Sequence, residues 1–212
     1  MNKKIATEIF RRFAENKPNP KIELIYSSPY TLLVAVVLSA QATDKGVNKA
    51  TPALFEVADT PQKMVDLGLE ELKKYVKTIG LYNNKAKNII ALSKMLVERF
   101  GGEVPNNFED LQSLPGVGRK SANVVLNSLW DQKRIAVDTH VFRVSNRVGL
   151  AKAKNVLQTE LQLYKSIPED RLINANQWLV LHGRYVCKAR KPECEKCIIN
   201  DLCEYYKKLT KK

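Results

Sequence analysis

Residues 108–140, FEDLQSLPGVGRKSANVVLNSLWDQKRIAVDTH, decide the fold. Phe108–Leu114 can form one short helix, and Arg119–Asn127 is a second helix-forming run. Between them lie Gly116 and Gly118, and glycine adopts positive φ and allows close approach of a backbone without a Cβ penalty. A turn that ends at a helix N-terminus presents unpaired N–H groups and the positive end of the helix dipole. The stretch therefore predicts a helix, a hairpin turn and a helix, with a turn suited to binding a phosphate.

The composition is that of a basic globular protein. The 212 residues are 44% hydrophobic and 27% charged, and 35 Lys and Arg against 22 Asp and Glu give a formal net charge of +13. This charge favours a polyanionic partner, most commonly nucleic acid, although many basic proteins do not bind DNA. The basic residues are scattered along the chain, which favours a folded basic face over a disordered arm.

The apolar segments are typical of a cytoplasmic protein with buried helices. Tyr30–Ala40 is apolar on every side, as a buried helix is, but it is much shorter than the roughly 20 residues of a membrane span. The N-terminal segment has no continuous apolar region of the kind found in secretory signals. It places Ile5, Ile9 and Phe13 on one face of an amphipathic helix. We find no convincing strand pattern and expect an all-α protein.

The four cysteines all lie in one short segment with the spacing C-x6-C-x2-C-x5-C, at Cys187, Cys194, Cys197 and Cys203. Reducing conditions in the cytosol disfavour disulfides, so the cluster predicts a metal site. Four thiolates suit either a structural zinc ion or a 4Fe–4S centre, and the spacing alone does not choose between them.

The hairpin stretch, the segment Val137–His140 after it and the cysteine spacing resemble the endonuclease III family of DNA glycosylases. The resemblance extends over nearly all of the chain. It implies an all-α fold of two helical domains with a cleft between them. A six-helix domain at 23–132 would contain the helix-hairpin-helix motif at about 108–127. Residues 1–22 together with 133–212 would form a second domain that carries a 4Fe–4S cluster.

The resemblance also implies roles for individual residues. Lys120 would be the nucleophile, and Asp138 would assist it. Gln41 would fill the gap left by a flipped nucleotide, with Asp44 in support. Leu81 would be a wedge in the base stack, although by pattern alone a leucine between glycine and tyrosine more often folds onto the core. The remaining implied DNA-binding residues are Leu114, Gly116, Gly118, His140, Arg190 and Lys191, and the implied cluster ligands are Cys187, Cys194, Cys197 and Cys203.

Helix capping is a simpler explanation for some of the same residues. Thr43 or Asp44 suits the N-cap of the helix that follows, and Thr60 with Pro61 is typical of a helix start. Asp138 is likewise a suitable N-cap. Capping and catalysis by Asp138 are compatible, because a capping carboxylate is held rigidly.

The expected function is that of a bifunctional DNA glycosylase and abasic-site lyase of base excision repair. It would excise oxidised pyrimidines and cut 3′ to the abasic site by β-elimination through a lysine Schiff base. The expected partner is damaged double-stranded DNA, and the protein is expected to be a monomer in a bacterial-type cytosol, nucleoid-associated when on DNA. The alternatives are a pyrimidine-dimer glycosylase and lyase, an adenine mismatch glycosylase of the same superfamily, or a non-catalytic helix-hairpin-helix DNA-binding protein.

Overall fold

A computed structural model describes residues 2–210, and every regular element in that range is a helix. This confirms the all-α prediction. The α-helices are α1 (Lys3–Asn16), α2 (Pro29–Ser39), α3 (Asp44–Val57), α4 (Pro61–Leu67), α5 (Leu69–Val76), α6 (Tyr82–Phe100), α7 (Phe108–Ser113), α8 (Arg119–Trp130), α9 (Thr139–Val148), α10 (Val156–Ser166), α11 (Leu172–Tyr185) and α12 (Glu204–Thr210). Short 3-10 helices span Glu169–Arg171, Cys194–Lys196 and Asn200–Leu202. Within the described range, none of these helices combines the length and apolar character that crossing a membrane requires.

The chain divides into two compact units. Glu23–Trp130 forms one, which we call the hairpin unit, and Met1–Ile22 with Asp131–Lys212 forms the other, which we call the cysteine unit. The described part of the hairpin unit contains seven α-helices, one more than the six expected. The additional helix arises because Gly68, at φ +79, separates α4 from α5.

The core of the hairpin unit is built around α2, where every residue from Tyr30 to Leu38 is buried. The helix begins at Pro29, and the Ser28 side chain caps it by accepting a hydrogen bond from the Thr31 N–H. It packs against α3, α6 and α8. A helix surrounded by three others must be apolar all round, which explains its sequence.

The hairpin turn connects α7 to α8 and contains both buried and exposed residues. Val117 is buried, and its N–H donates to the carbonyl of Leu114 at 3.0 Å. Gly116 has φ +80, and a Cβ at this position would lie 2.9 Å from the Cβ of Asn88 in α6. Gly118 does not have positive φ, and a Cβ there would meet no heavy atom within 4 Å. The expected need for glycine in the fold therefore holds for Gly116 but not for Gly118.

The cysteine unit is held together by packing between the two ends of the chain. Phe10 of α1 lies 6.2 Å from the ring of Trp178 in α11 and 5.9 Å from Phe13, measured between ring centroids. The Trp178 indole N–H donates to the carbonyl of Lys17 at 2.8 Å. These contacts bury the predicted apolar face of α1 against α11, which itself packs on α9.

Candidate functional site

Lys120 lies in the first turn of α8, and its side chain is exposed. The carbonyl of Gly118 accepts a hydrogen bond from the Ala122 N–H at 3.0 Å, so the helix begins directly where the hairpin turn ends. The guanidinium of Arg119 lies 5.3 Å from the centre of the Phe108 ring, which connects α8 to α7. The hairpin therefore presents an accessible primary amine at a helix N-terminus.

The hairpin unit also contains two other loops that are predicted to bind DNA, one at Gln41 and one at Leu81. Gln41 is exposed in the turn after α2, and Leu81 directly precedes α6. A Cβ on Gly80 would lie 3.8 Å from the Gln41 carbonyl oxygen, so the two loops are in contact. Further along α6, Asn88 packs against Gly116 of the hairpin turn. Helix α6 thus connects the Leu81 loop to the hairpin.

Backbone strain coincides with several predicted DNA contacts. Among the described residues, four residues other than glycine have a left-handed backbone: Gln41, Leu81, Asp131 and Lys191. This conformation costs roughly 1 kcal/mol or more in an L-residue, and such strain tends to occur at functional sites. Gln41, Leu81 and Lys191 were all implicated in DNA binding by the sequence. Leu81 is also 57% exposed, so its side chain does not fold onto the core.

Leu114 differs from the other residues implicated in DNA binding. Its side chain is only 2% exposed and packs inside the hairpin unit. Its N–H donates to Leu111 and its carbonyl accepts from Val117, so Leu114 shapes the turn. Only its main chain lies where a ligand of the turn would approach.

Asp138 is the N-cap of α9, as the simpler sequence interpretation expected. Its Oδ1 accepts hydrogen bonds from the N–H groups of His140 and Val141, both at 2.8 Å. Its Oδ2 has no hydrogen-bond partner among the described residues, and the side chain is half-buried. One carboxylate oxygen thus fixes the side chain to the helix, while the other is free to accept a proton.

The segment leading to Asp138 is held by side chains of α10 and α11. Ile135 donates its N–H to the Tyr164 hydroxyl at 3.0 Å, and Ala136 donates to Oδ1 of Asn176 at 2.9 Å. Ile135 and Ala136 are both buried. The backbone therefore reaches Asp138 with little freedom, and the position of the carboxylate follows from the packing of three helices.

His140 is held in a defined orientation in the first turn of α9. Nη2 of Arg143 lies 3.1 Å from Nδ1 of His140, and an arginine can only donate. Nδ1 is therefore the acceptor, and neutral His140 carries its proton on Nε2. A Cβ at Gly183 would lie 2.8 Å from the Cβ of His140, so α11 can approach here only because residue 183 is glycine.

The four cysteines line one pocket, whose wall also includes His182 and Tyr205. Cys187 and Cys203 are buried, and Cys194 and Cys197 are half-buried. Nε2 of His182 lies 3.6 Å from Sγ of Cys197. Four thiols that line one pocket are the donor set that a metal cluster with all-cysteine ligation needs, so the residues fit such a group.

Burial makes the thiols of Cys194, Cys197 and Cys203 weaker acids. It raises the pKa of Cys197 to about 11, and it also raises the pKa values of Cys194 and Cys203. Burial has the opposite effect on His182, whose pKa falls to about 4, so this imidazole is neutral at neutral pH. Since metals bind the thiolate form, cluster assembly would displace protons from the cysteines.

Two arginines one turn apart on α9 attach this helix to the cysteine segment. Arg143 donates through Nε to the carbonyl of Cys187 at 3.0 Å and through Nη2 to Gly183 at 2.7 Å. Arg147 donates to the carbonyls of Lys188 and Ala189 at 2.7 and 3.0 Å. The helix capped by Asp138 is thus bound directly to the segment that carries the cysteines.

Sequence reasoning did not identify either arginine. Arg147 also stacks on the Tyr205 ring at 4.8 Å, and its Nη1 lies 3.6 Å from Sγ of Cys187. The sequence signal is the i, i+4 spacing of Arg143 and Arg147 directly after the Asp138 cap, but their acceptors are carbonyls some 40 residues away. Arg190 and Lys191, which the sequence did identify, are both exposed on the same segment.

Comparison with protein-family models finds two matches. Residues 34–169 match the HhH-GPD superfamily of base excision DNA repair proteins. Residues 187–203, which span the four cysteines, match the iron–sulfur binding domain of endonuclease III.

Full-length relatives agree with the family models. Endonuclease III of Haemophilus influenzae is 56% identical over 209 residues, which cover 99% of each chain. Endonuclease III of Rickettsia conorii is 57% identical over 206 residues, covering 97% of this chain and 98% of that protein. A solved structure of a trapped endonuclease III–DNA covalent intermediate superposes with a TM-score of 0.92 at 43% identity and covers 99% of each chain.

The capping role of Asp138 can be separated from its charge by two substitutions. Asp138→Ala removes the acceptor for two helix N–H groups and should cost about 1 kcal/mol of stability, or roughly 2 to 4 °C in Tm. Asp138→Asn keeps an Oδ1 acceptor and should melt close to the unmodified protein. Thermal unfolding followed by circular dichroism makes the comparison. Equal losses of Tm in both variants would show that the charge of the carboxylate, and not the Oδ1 acceptor, stabilises α9.

Proposed function

The chain belongs to the endonuclease III family of base excision DNA repair enzymes, and on that premise we propose that Lys120 is its nucleophile and Asp138 its proton acceptor. It is a DNA glycosylase and abasic-site lyase, and we infer that its substrates are oxidised pyrimidines in duplex DNA. The observation that carries the proposal is the position of Lys120, an exposed amine in the first helical turn after the hairpin. A relative solved as a trapped covalent intermediate with DNA supports a covalent route.

Both units would contribute to DNA binding. In the hairpin unit, the turn at Gly116 and Gly118 would place backbone N–H groups on a phosphate, and Gly118 would allow close approach because nothing lies where its Cβ would be. Gln41 and Leu81 would enter the base stack, Leu81 as an apolar wedge. In the cysteine unit, the Nε2–H of His140 would donate to a phosphate. Arg190 and Lys191 would add charge-based phosphate contacts.

The reaction follows from the chemistry of an amine at an anomeric carbon. The target nucleotide leaves the duplex, because its C1′ is inaccessible in the stack. The uncharged amine of Lys120 forms a bond to C1′ while the N-glycosidic bond breaks and its electron pair leaves with the base. The sugar ring opens to a protonated Schiff base. Loss of the C2′ proton then expels the 3′ phosphate by β-elimination, which cuts the strand 3′ to the lesion.

Asp138 would serve this sequence through its second oxygen. Because Oδ1 accepts two backbone hydrogen bonds, Oδ2 can take the proton of the attacking amine, directly or through water. The carboxylate would also stabilise the positive charge that develops on the sugar.

The chain contains the iron–sulfur binding domain of its family. We propose that the cluster is 4Fe–4S and that Cys187, Cys194, Cys197 and Cys203 are its ligands. When bound, such a cluster supplies a rigid cross-link among four points of one segment and leaves no iron position open for hydrolysis. Arg143 and Arg147 would then hold α9 in place through their hydrogen bonds to the ordered cysteine segment.

The two compact units support the proposed division into a helix-hairpin-helix domain and a cluster domain. The unit boundaries lie at Ile22 and Trp130, close to those inferred from the sequence. We further propose that the protein acts as a monomer in the cytoplasm, on nucleoid DNA.

Covalent trapping tests the proposed function and its nucleophile together. Duplexes carrying an oxidised pyrimidine, a pyrimidine dimer or an adenine mismatch are incubated with the holoenzyme and borohydride, and adducts are resolved on a denaturing gel. We expect an adduct with the oxidised pyrimidine, and its loss in Lys120→Gln by about a thousandfold or more.

Lys87→Gln, which changes an exposed lysine of α6, is the control and should trap normally. An adduct that forms only on the dimer would assign the chain to the alternative lyase. Binding without an adduct on any duplex would assign it to the non-catalytic class, and an adduct that survives in Lys120→Gln would exclude Lys120.

Cluster ligation is tested by metal analysis of purified protein. We expect brown protein with about four iron and four sulfide per chain, and loss of both in Cys203→Ser because one of four thiolates is missing. Lys196→Ala, in the same segment, should keep its colour. Colourless protein that contains stoichiometric zinc would contradict the cluster.

A further inference from the structure

Lys85 is a buried lysine without a hydrogen-bond partner. Its side chain is 5% exposed, and its Nζ contacts no acceptor among the described residues. No other lysine in residues 2–210 is buried. A buried ammonium normally pairs with a carboxylate or a carbonyl, because desolvation without a partner is costly. Consistent with this burial, desolvation lowers the pKa of Lys85.

Lys85 lies on α6 between the Leu81 loop and Asn88, the residue that contacts the hairpin turn. Leu81, Lys85 and Asn88 lie at positions i, i+4 and i+7, which form one face of a helix. The Lys85 N–H donates to the Leu81 carbonyl at 3.1 Å. Helical side chains tilt toward the N-terminus, so the stem of Lys85 runs back toward the turn that carries Leu81. Asn88, on the other side, packs against Gly116 of the hairpin.

Packing alone does not account for a lysine at this position. A methionine or leucine in place of Lys85 would fill a similar volume without burying an unpaired charge. We expect such a substitution to make the folded protein more stable. Unsatisfied buried polar groups are rare in native proteins, and they concentrate where a ligand completes them. Here the neighbouring elements on the same helix face are the Leu81 loop and the hairpin turn.

We propose that Lys85 is a DNA-binding residue whose ammonium pairs with an oxygen of the DNA at the gap that Gln41 and Leu81 enter. This inference rests on the proposed function. In the free protein the ammonium is desolvated and unpaired. A rotamer change of this flexible side chain, as DNA is inserted at Leu81, brings the ammonium to the missing acceptor. The oxygen belongs to a backbone phosphate or to a base edge, and both accept a hydrogen bond from an ammonium.

The test compares stability with DNA affinity in Lys85→Met holoenzyme. We expect the Tm of the free protein to rise by about 2 to 4 °C, because an unpaired polar group is removed. We expect affinity for a duplex with an uncleavable abasic-site analogue to fall by about tenfold or more, as for loss of a hydrogen bond to a charged group. Lys87→Met removes an exposed lysine two residues away and should change affinity by less than about twofold.

Salt titration distinguishes the two sources of the oxygen. A phosphate partner predicts that the slope of log K against log salt falls by about 0.9 in Lys85→Met. A base partner predicts an unchanged slope and a loss of affinity that depends on the base opposite the lesion. Either result supports the proposal. Lys85→Gln, which keeps a polar side chain, repeats the binding measurement if Lys85→Met does not fold.

The proposal is overturned if Lys85→Met, or Lys85→Gln in its place, binds the duplex as tightly as the unmodified protein. It is also overturned if Lys87→Met loses as much affinity. The unmodified protein separates this failure from failure of the proposed function. If it prefers the abasic-site duplex to undamaged DNA, only the role of Lys85 falls; without that preference, the proposed function falls as well.

Discussion

The cysteine unit depends on the two hydrogen bonds that Oδ1 of Asp138 accepts from the first N–H groups of α9. They satisfy donors that a helix N-terminus leaves unpaired, and they hold a carboxylate where its second oxygen is unpaired. The same helix carries Arg143 and Arg147, whose guanidinium groups hold the backbone of the cysteine segment. One helix thus connects a rigidly held carboxylate to the segment that matches the iron–sulfur binding domain.

The hairpin unit follows a comparable plan with α6 as its connecting helix. Leu81 begins the helix in a left-handed conformation, and Asn88 meets the hairpin turn at Gly116, where no larger residue fits. Strain at Leu81 and Gln41, together with the desolvated amine of Lys85, costs stability in the free protein. The apolar packing of α2 against the helices around it offsets this loss of stability.

Local signals in the sequence predicted much of the fold. Thr60 and Asp138 act as caps, α2 is buried, and the hairpin helices occur where the pattern placed them, because capping and periodicity depend on neighbouring residues. The pattern did not predict the exposure of Leu81, the burial of Lys85 or the carbonyl partners of Arg147. Each of these depends on residues distant in sequence, and a single sequence carries no direct signal for such contacts. The family resemblance, which rests on motif order, supplied the candidate roles that local patterns could not.

The central claim is that one amine, that of Lys120, becomes covalently bonded to the sugar. The most direct measurement is mass spectrometry of the borohydride-reduced complex with abasic-site DNA, after nuclease and protease digestion. The account predicts a sugar-phosphate remnant on the peptide that contains Lys120 and on no other peptide. A remnant on a different lysine, or on the N-terminal amine, would contradict it.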